Sequence, residues 1–248
     1  MHDILGFNNL TKSLSFNLYD FAVALNDEER VSYIKYIDER YNARQIEANL
    51  IRIAEIIDAE VLNVSSKDFD PNGASVVLLM SDSKAASNNQ KSQSIVNIQL
   101  DKSHICAHTY PDSLDESGIC SFRVDIDIST CGSISPLYAL DFMFRAFESD
   151  MACVDYSVRG FARNKLGQKI YMDHDIRSIT DFISPMILED YETQDENHPG
   201  HHTYQTMFRV KNLDESCYFR NPRQVSPEIC KEKMDLIKKE MEAIFHLH

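Results

Sequence analysis

Two histidines and a cysteine crowd a serine in the run DKSHICAHTY, residues 101–110. His104, Cys106 and His108 recur at every second residue, so a strand would set all three on one face. An H-x-C-x-H row offers the nitrogen and sulfur donors that suit a transition metal. Side chains two apart on a straight strand point in parallel, however, and reach one ion only with a further ligand from elsewhere. The bare row therefore reads as half-buried strand residues with hydrogen-bonded imidazoles. Ser103 and His108 offer a second pairing, nucleophile and base. Five residues at about 3.3 Å each separate them by roughly 17 Å, and the odd spacing sets them on opposite faces unless the chain turns at Ser103. A third group is STCGS, residues 129–133, where Cys131 ends an alternating strand beside Gly132. A thiol there is either reactive or a small apolar filler. Asp125 and Asp127 line one strand face and are candidates for a cation, although a salt-bridged or solvated face explains them as well. His201 and His202 fall in a polar loop and read as solvated.

These residues need elements to hold them. Residues 26–40, NDEERVSYIKYIDER, open on Asn26 as a helix cap with Glu29 three residues on, close to a capping box. A second helix follows, with Ile46, Leu50, Ile53 and Ile57 at helical spacing. EVLNVSS and GASVVLLMS read as strands, residues 81–93 as an exposed polar loop, and SIVNIQL as a strand running into DKSHICAHTY. FRVDIDIS alternates, with Phe122, Val124, Ile126 and Ile128 facing a core, which marks an antiparallel strand. SPLYALDFMFRAFESD is a helix with Ser135 at its cap and Pro136 at its first position, burying Leu137, Leu140 and Phe144. CVDYSVRGF and QKIYM are strands, read as a hairpin across ARNKLG; TQDENHPGHH is read as a loop and SPEICKEKMDLIKKEMEAIF as a final amphipathic helix. The pattern predicts an α+β sandwich, antiparallel sheet with helices packed on its outer faces.

The whole chain sets outer bounds. It has 248 residues, 43% apolar and 26% charged, which is ordinary for a globular protein able to bury a sizeable core. Its net charge of −14 repels phosphate backbones, so nucleic acid is not an expected partner. The six cysteines form no C-x-x-C pair, the first residues do not read as a signal peptide, and no segment has the roughly 18 apolar residues of a membrane span. A cytoplasmic protein with free thiols and no membrane association is the expectation. No G-x-S-x-G elbow and no phosphate-cradling glycine loop is present.

Taken in order, GFNNLTKSLSF, PNGAS, DKSHICAHTYPD, STCGSISPLYAL, DYSVRGF and DHDIRSITDF resemble the prokaryotic S-adenosylmethionine decarboxylases, specifically the longer bacterial class. The resemblance covers roughly residues 5–185 and fades in the C-terminal quarter. It implies a single self-processing domain that breaks its own chain between Lys102 and Ser103, giving a β chain of 1–102 and an α chain of 103–248. Ser103 would become a covalent pyruvoyl group, the Schiff-base partner and electron sink for decarboxylation of S-adenosylmethionine in spermidine synthesis. By the same resemblance His108 and Ser75 serve processing, Cys131 is the proton donor, and Phe69 stacks on the adenine. Where the family carries a glutamate that contacts the ribose, this chain has Asp112, one methylene shorter. The resemblance further implies a homo-oligomer of αβ units and stimulation by magnesium, for which the sequence names no ligands. Two other functions stay open: a pyruvoyl-dependent decarboxylase of an amino acid such as ornithine or arginine, and an uncleaved regulatory homologue.

Overall fold

A computed structural model describes residues 4–82, 103–220 and 222–246. Strand β1 (Ile4–Asn8) leads into the long β2 (Thr11–Val23), and helices α1 (Asp27–Tyr41) and α2 (Ala43–Ile56) follow. Next come β3 (Ala59–Asp68), β4 (Ala74–Asp82), β5 (Ser103–Asp112), β6 (Ile119–Cys131) and α3 (Leu140–Ala146). The remainder is β7 (Met151–Arg159), β8 (Ala162–Asn164), β9 (Lys169–Ile170), α4 (Pro185–Asp190), β10 (Tyr191–His198), β11 (Thr203–Val210), α5 (Glu215–Tyr218) and α6 (Pro227–Phe245).

Period-two burial fixes the sheet. Leu14, Phe16 and Leu18 of β2, Val124, Ile126 and Ile128 of β6, and Ile105 and Ala107 of β5 are all buried on one face. Eight antiparallel strands result, in the order β10-β11-β7-β2-β6-β5-β4-β3. The Asn26 cap read from sequence holds: its side chain accepts from the Glu29 N–H and starts α1, whereas Ser135 takes the cap position before Pro136 without a side-chain cap hydrogen bond. Glu29 reaches back to the N–H of Leu25, one residue before the position a capping box uses. Ile46, Leu50 and Ile53 of α2, with Leu137, Leu140 and Phe144 after Pro136, pack on the apolar face of the sheet in one core. Residues 136–139 form a 3-10 turn before α3 begins, so the helix expected there starts later.

On the opposite face the described residues place a covering helix at one end. There Ile237, Met241 and Phe245 of α6 pack against Phe21, Met151 and Met207. The antiparallel sheet with helices against it matches the architecture expected from the sequence. Two local expectations change. QKIYM does not pair with β7; its β9 pairs with β8, and β8 with β1, in a separate three-stranded sheet. TQDENHPGHH is not a loop throughout, because residues 191–198 form the edge strand β10, paired along its length with β11. Its side chains are polar and largely exposed, so backbone pairing holds it and no apolar alternation marked it. Residues 83–93, the apolar run 94–100 and Lys102 lie outside the described residues.

Candidate active site

Ser103 opens β5. Its side chain is buried on the helix-packed face, and the residue pairs with Met80 of β4 in extended backbone, not in a turn. Cys131 closes β6 on the other flank of β5, and its backbone N–H donates to Ser103 Oγ over 3.1 Å. On its far side Cys131 pairs with Thr11 of β2, whose Oγ1 lies 3.9 Å from Cys131 Sγ. The next residue turns the chain. Gly132 sits at φ +74°, a left-handed conformation that disfavours any side chain. Its N–H donates to the Leu10 carbonyl over 3.1 Å, and its own carbonyl accepts from Lys12 Nζ over 2.8 Å. The fold thus brings a hydroxyl and a thiol-bearing turn together from residues 28 apart in sequence.

Ser75 and His108 make a second group. They stand directly opposite on β4 and β5, and both are half-buried. Just before Ser75, Gly73 at φ +94° brings its backbone against β5, where a Cβ would meet the Thr109 carbonyl at 2.9 Å. His108 also faces Asp125 across β6, and the His108 and Tyr110 ring centroids are 6.5 Å apart. His104, Cys106 and His108 do share one face, the less buried one. That face is opposite to Ser103. Five residues of straight strand separate Ser103 from His108, roughly 17 Å at the usual rise, so the nucleophile-and-base pairing is not formed within one chain.

The substrate residues inferred from the resemblance are spread further. Phe69 follows β3 with its ring 46% exposed and Lys67 Nζ 5.4 Å from the ring centroid. It lines a cavity of about 240 Å³ together with Asp38, Tyr41, Asp68 and Thr109. Asp112 is exposed at the far end of β5, where its Oδ1 accepts from the Leu114 N–H over 2.9 Å. Asp125 is ion-paired to Arg123 at 2.7 Å and Asp127 is exposed. Among the described residues no three His, Cys, Asp or Glu side chains converge as a metal site, so neither the histidine row nor the aspartate face offers magnesium a built set of ligands.

All six cysteines are free. Burial, followed by the nearby Asp127, raises the Cys106 thiol, and burial with Asp155 pushes Cys153 up to about 12. Those thiols stay protonated and inert near neutrality.

One group escaped the sequence reading. Lys12 is 1% exposed and donates to Asp173 Oδ2 at 2.5 Å as well as to Gly132. Asp173 Oδ1 in turn contacts His174 Nδ1 at 2.7 Å, and His174 Nε2 lies 3.1 Å from the Tyr156 hydroxyl. The signal was present: Lys12 falls in phase with Leu10, Leu14, Phe16 and Leu18, a cation on the core side of a strand.

The family model described as S-adenosylmethionine decarboxylase matches residues 37–160. S-adenosylmethionine decarboxylase proenzymes of Stenotrophomonas maltophilia (strain R551-3) and Xylella fastidiosa (strain M12) are each 43% identical, over 97% of this chain and 94% of the relative. That of Xanthomonas euvesicatoria pv. vesicatoria (strain 85-10) is 42% identical over the same shares. Likeness therefore runs on through the C-terminal quarter, where the motifs alone had faded. Among solved structures the chain resembles the adenosylmethionine decarboxylase of Aquifex aeolicus, with TM-score 0.37 and 17% identity over 69% of this chain and 100% of that one. A Trypanosoma brucei AdoMetDC monomer gives TM-score 0.35 and 12% identity, over 81% and 66%. On the identity to the bacterial proenzymes, the chain belongs to the S-adenosylmethionine decarboxylase family.

Proposed function

We propose that this chain is a proenzyme that cuts itself between Lys102 and Ser103 and then decarboxylates S-adenosylmethionine to the aminopropyl donor of spermidine synthesis. The observation that carries the reading is the 3.1 Å hydrogen bond from the Cys131 N–H to Ser103 Oγ, within a chain of this family. That bond occupies a lone pair of the hydroxyl and orients it. In the first step Ser103 Oγ attacks the Lys102 carbonyl, the C–O bond forms, the C–N bond breaks, and the hydroxyl proton passes to the Ser103 nitrogen. A base then removes the Ser103 Cα proton, the Cβ–O bond breaks, and Lys102 departs as a carboxylate chain end. Water replaces the nitrogen of the remaining enamine as ammonia, leaving a ketone. Ser103, buried at the start of β5, fits as the precursor of such a group, which supplies an electron sink when formed. Cys131, at the adjoining strand end, returns a proton to the substrate carbon after carbon dioxide leaves.

Ser75 and His108 serve cleavage as a half-site. Since they stand about 17 Å of strand away from their own Ser103 and on the other face, they meet the Ser103 of a second copy in a homo-oligomer. Intact mass of the purified protein tests the core of the proposal. Fragments 1–102 and 103–248 are expected from the natural chain and a single species from Ser103→Ala; a natural chain that remains whole would falsify it. Asp112 in place of glutamate favours a second reading, an amino-acid substrate. Carbon dioxide release from labelled S-adenosylmethionine, ornithine and arginine separates the two.

A further inference from the structure

Lys12 is the most enclosed cation described, and it is not placed for stability alone. A fully desolvated ammonium costs free energy that one carboxylate offsets incompletely, and an apolar residue of similar volume would serve the core as well or better. Its partners show where it acts. One N–H goes to the carbonyl of Gly132, the residue after Cys131, and one to Asp173 Oδ2. Asp173 is held in turn. Its other oxygen can only accept, so His174 Nδ1 donates to it, and His174 Nε2 lies 3.1 Å from the Tyr156 hydroxyl. Burial alone would raise the Asp173 carboxyl, but the hydrogen bonds from His174 and Lys12 outweigh it and keep it ionised. Tyr156 is enclosed, and burial raises its hydroxyl well above the usual range, so it remains a donor. In the chain Tyr156–His174–Asp173–Lys12, His174 and Lys12 both donate to Asp173, and Lys12 carries the network on to one backbone carbonyl.

That carbonyl belongs to the turn that aims at Ser103. Gly132 is fixed on its N–H side by Leu10, just before β2, and on its carbonyl side by Lys12, at the start of β2. The Thr130 hydroxyl, 3.1 Å from the Ile134 carbonyl, ties the two sides of the turn. Between these anchors the Cys131 N–H meets Ser103 Oγ.

We infer that Lys12, pinned by Asp173 and His174, is a positioning residue for self-cleavage: it holds the Gly132 turn so that the Cys131 N–H orients the Ser103 hydroxyl for attack. The inference rests on the processing reading above. Misplacing a reacting group by about 1 Å can cost on the order of 100-fold in rate, and that is the slowing expected when the clamp is lost.

The test follows the full chain during cell-free synthesis, with a pulse of label and gel separation of whole and cut species. Lys12→Met combined with Asp173→Asn removes both charges together, so no unpaired ion is left in the core. The expected result is a folded protein with a thermal midpoint near that of the natural chain, cleaving about 100-fold more slowly. Hydroxylamine, which cuts esters and spares amides, is expected to leave this variant whole, because the hydroxyl has not attacked. A packing defect away from the turn would not abolish the ester. If the double variant does not fold, Asp173→Asn alone, which keeps size and an acceptor, is expected to slow cleavage by about 10-fold. Cleavage at the natural rate in either folded variant overturns the inference while leaving the processing reading intact. A natural chain that never cleaves overturns both.

Discussion

Ser103 takes its hydrogen bond from the backbone of Cys131 and not from the thiol. Under the proposed function, cleavage and decarboxylation then draw on different atoms of one residue, and a substitution can part them. Cys131→Ala keeps the N–H and the Gly132 turn, so the chain should still cut itself at a rate within about threefold of the natural one, while turnover falls by about 100-fold or more for want of a positioned acid. Intact mass reads the first quantity and carbon dioxide release the second. Undiminished turnover would take the thiol out of the mechanism; loss of cleavage would mean that the thiol also acts in processing. At this scale the sequence was informative where residues sit in motifs. Ser103, Cys131, Ser75 and His108 were all named from it, and the structure joins them as Ser103 with Cys131 and Ser75 with His108. Which residue faces which was not legible, since register across β4, β5 and β6 depends on pairings between strands far apart in sequence. Lys12 was missed for a related reason: its phase on β2 was visible, but its partners Asp173 and His174 lie about 160 residues away in a stretch without periodicity.

Elements far from the site carry their own chemistry. Near the end of β2, Asp20 and Asp150 are hydrogen-bonded carboxyls, and Asp150 also accepts from the Phe21 N–H at 3.0 Å and from the Tyr218 hydroxyl at 2.7 Å. The pair thus ties β2, the approach to β7 and α5 together. Burial, followed by repulsion from Asp150, raises Asp20 well above the usual carboxylate range, and burial raises Asp150 as well. For an acid raised on folding, the native state holds more protons than the unfolded one. Stability is then greatest below the ordinary carboxylate pKa of about 4 and falls as pH rises toward the raised value. Asp20→Asn keeps a donor toward Asp150 and has no proton to lose. Its thermal midpoint relative to the natural chain should climb between pH 5 and pH 8, reaching a gain of a few degrees. A difference that is flat with pH in a thermal melt series would show that Asp20 does not titrate in that range. Neither this pair nor β10 could be read from sequence. Helices α1, α2 and α6 announce themselves by caps and apolar periodicity. An edge strand of Thr, Gln, Asp and Glu is defined only by the neighbour it pairs with.

For the whole molecule the question is what meets the part of this sheet face that the described helices leave uncovered. Helix α6 shields one end of that face, over Phe21, Met151 and Met207. Beyond it lie His104, Cys106 and His108, with Val77 and Leu79 in register beside Cys106 and His104 and exposed at 38% and 46%. Apolar side chains flanking His108 suit a surface that a second copy covers, and the proposed half-site needs that copy's His108 to reach past the start of β5 to Ser103 on the helix-packed face. Complementation puts this to the test. Ser103→Ala has a complete Ser75–His108 pair but nothing to cut. His108→Ala has the serine but lacks the histidine. Each variant produced alone should remain whole. Produced together, they can assemble mixed oligomers in which the His108→Ala chain meets an intact histidine, and that chain alone should appear as 1–102 and 103–248 fragments by mass. If the histidine serves only its own chain, both species stay uncut in the mixture, and cleavage must then proceed through a rearrangement that brings Ser103 across the sheet to its own His108.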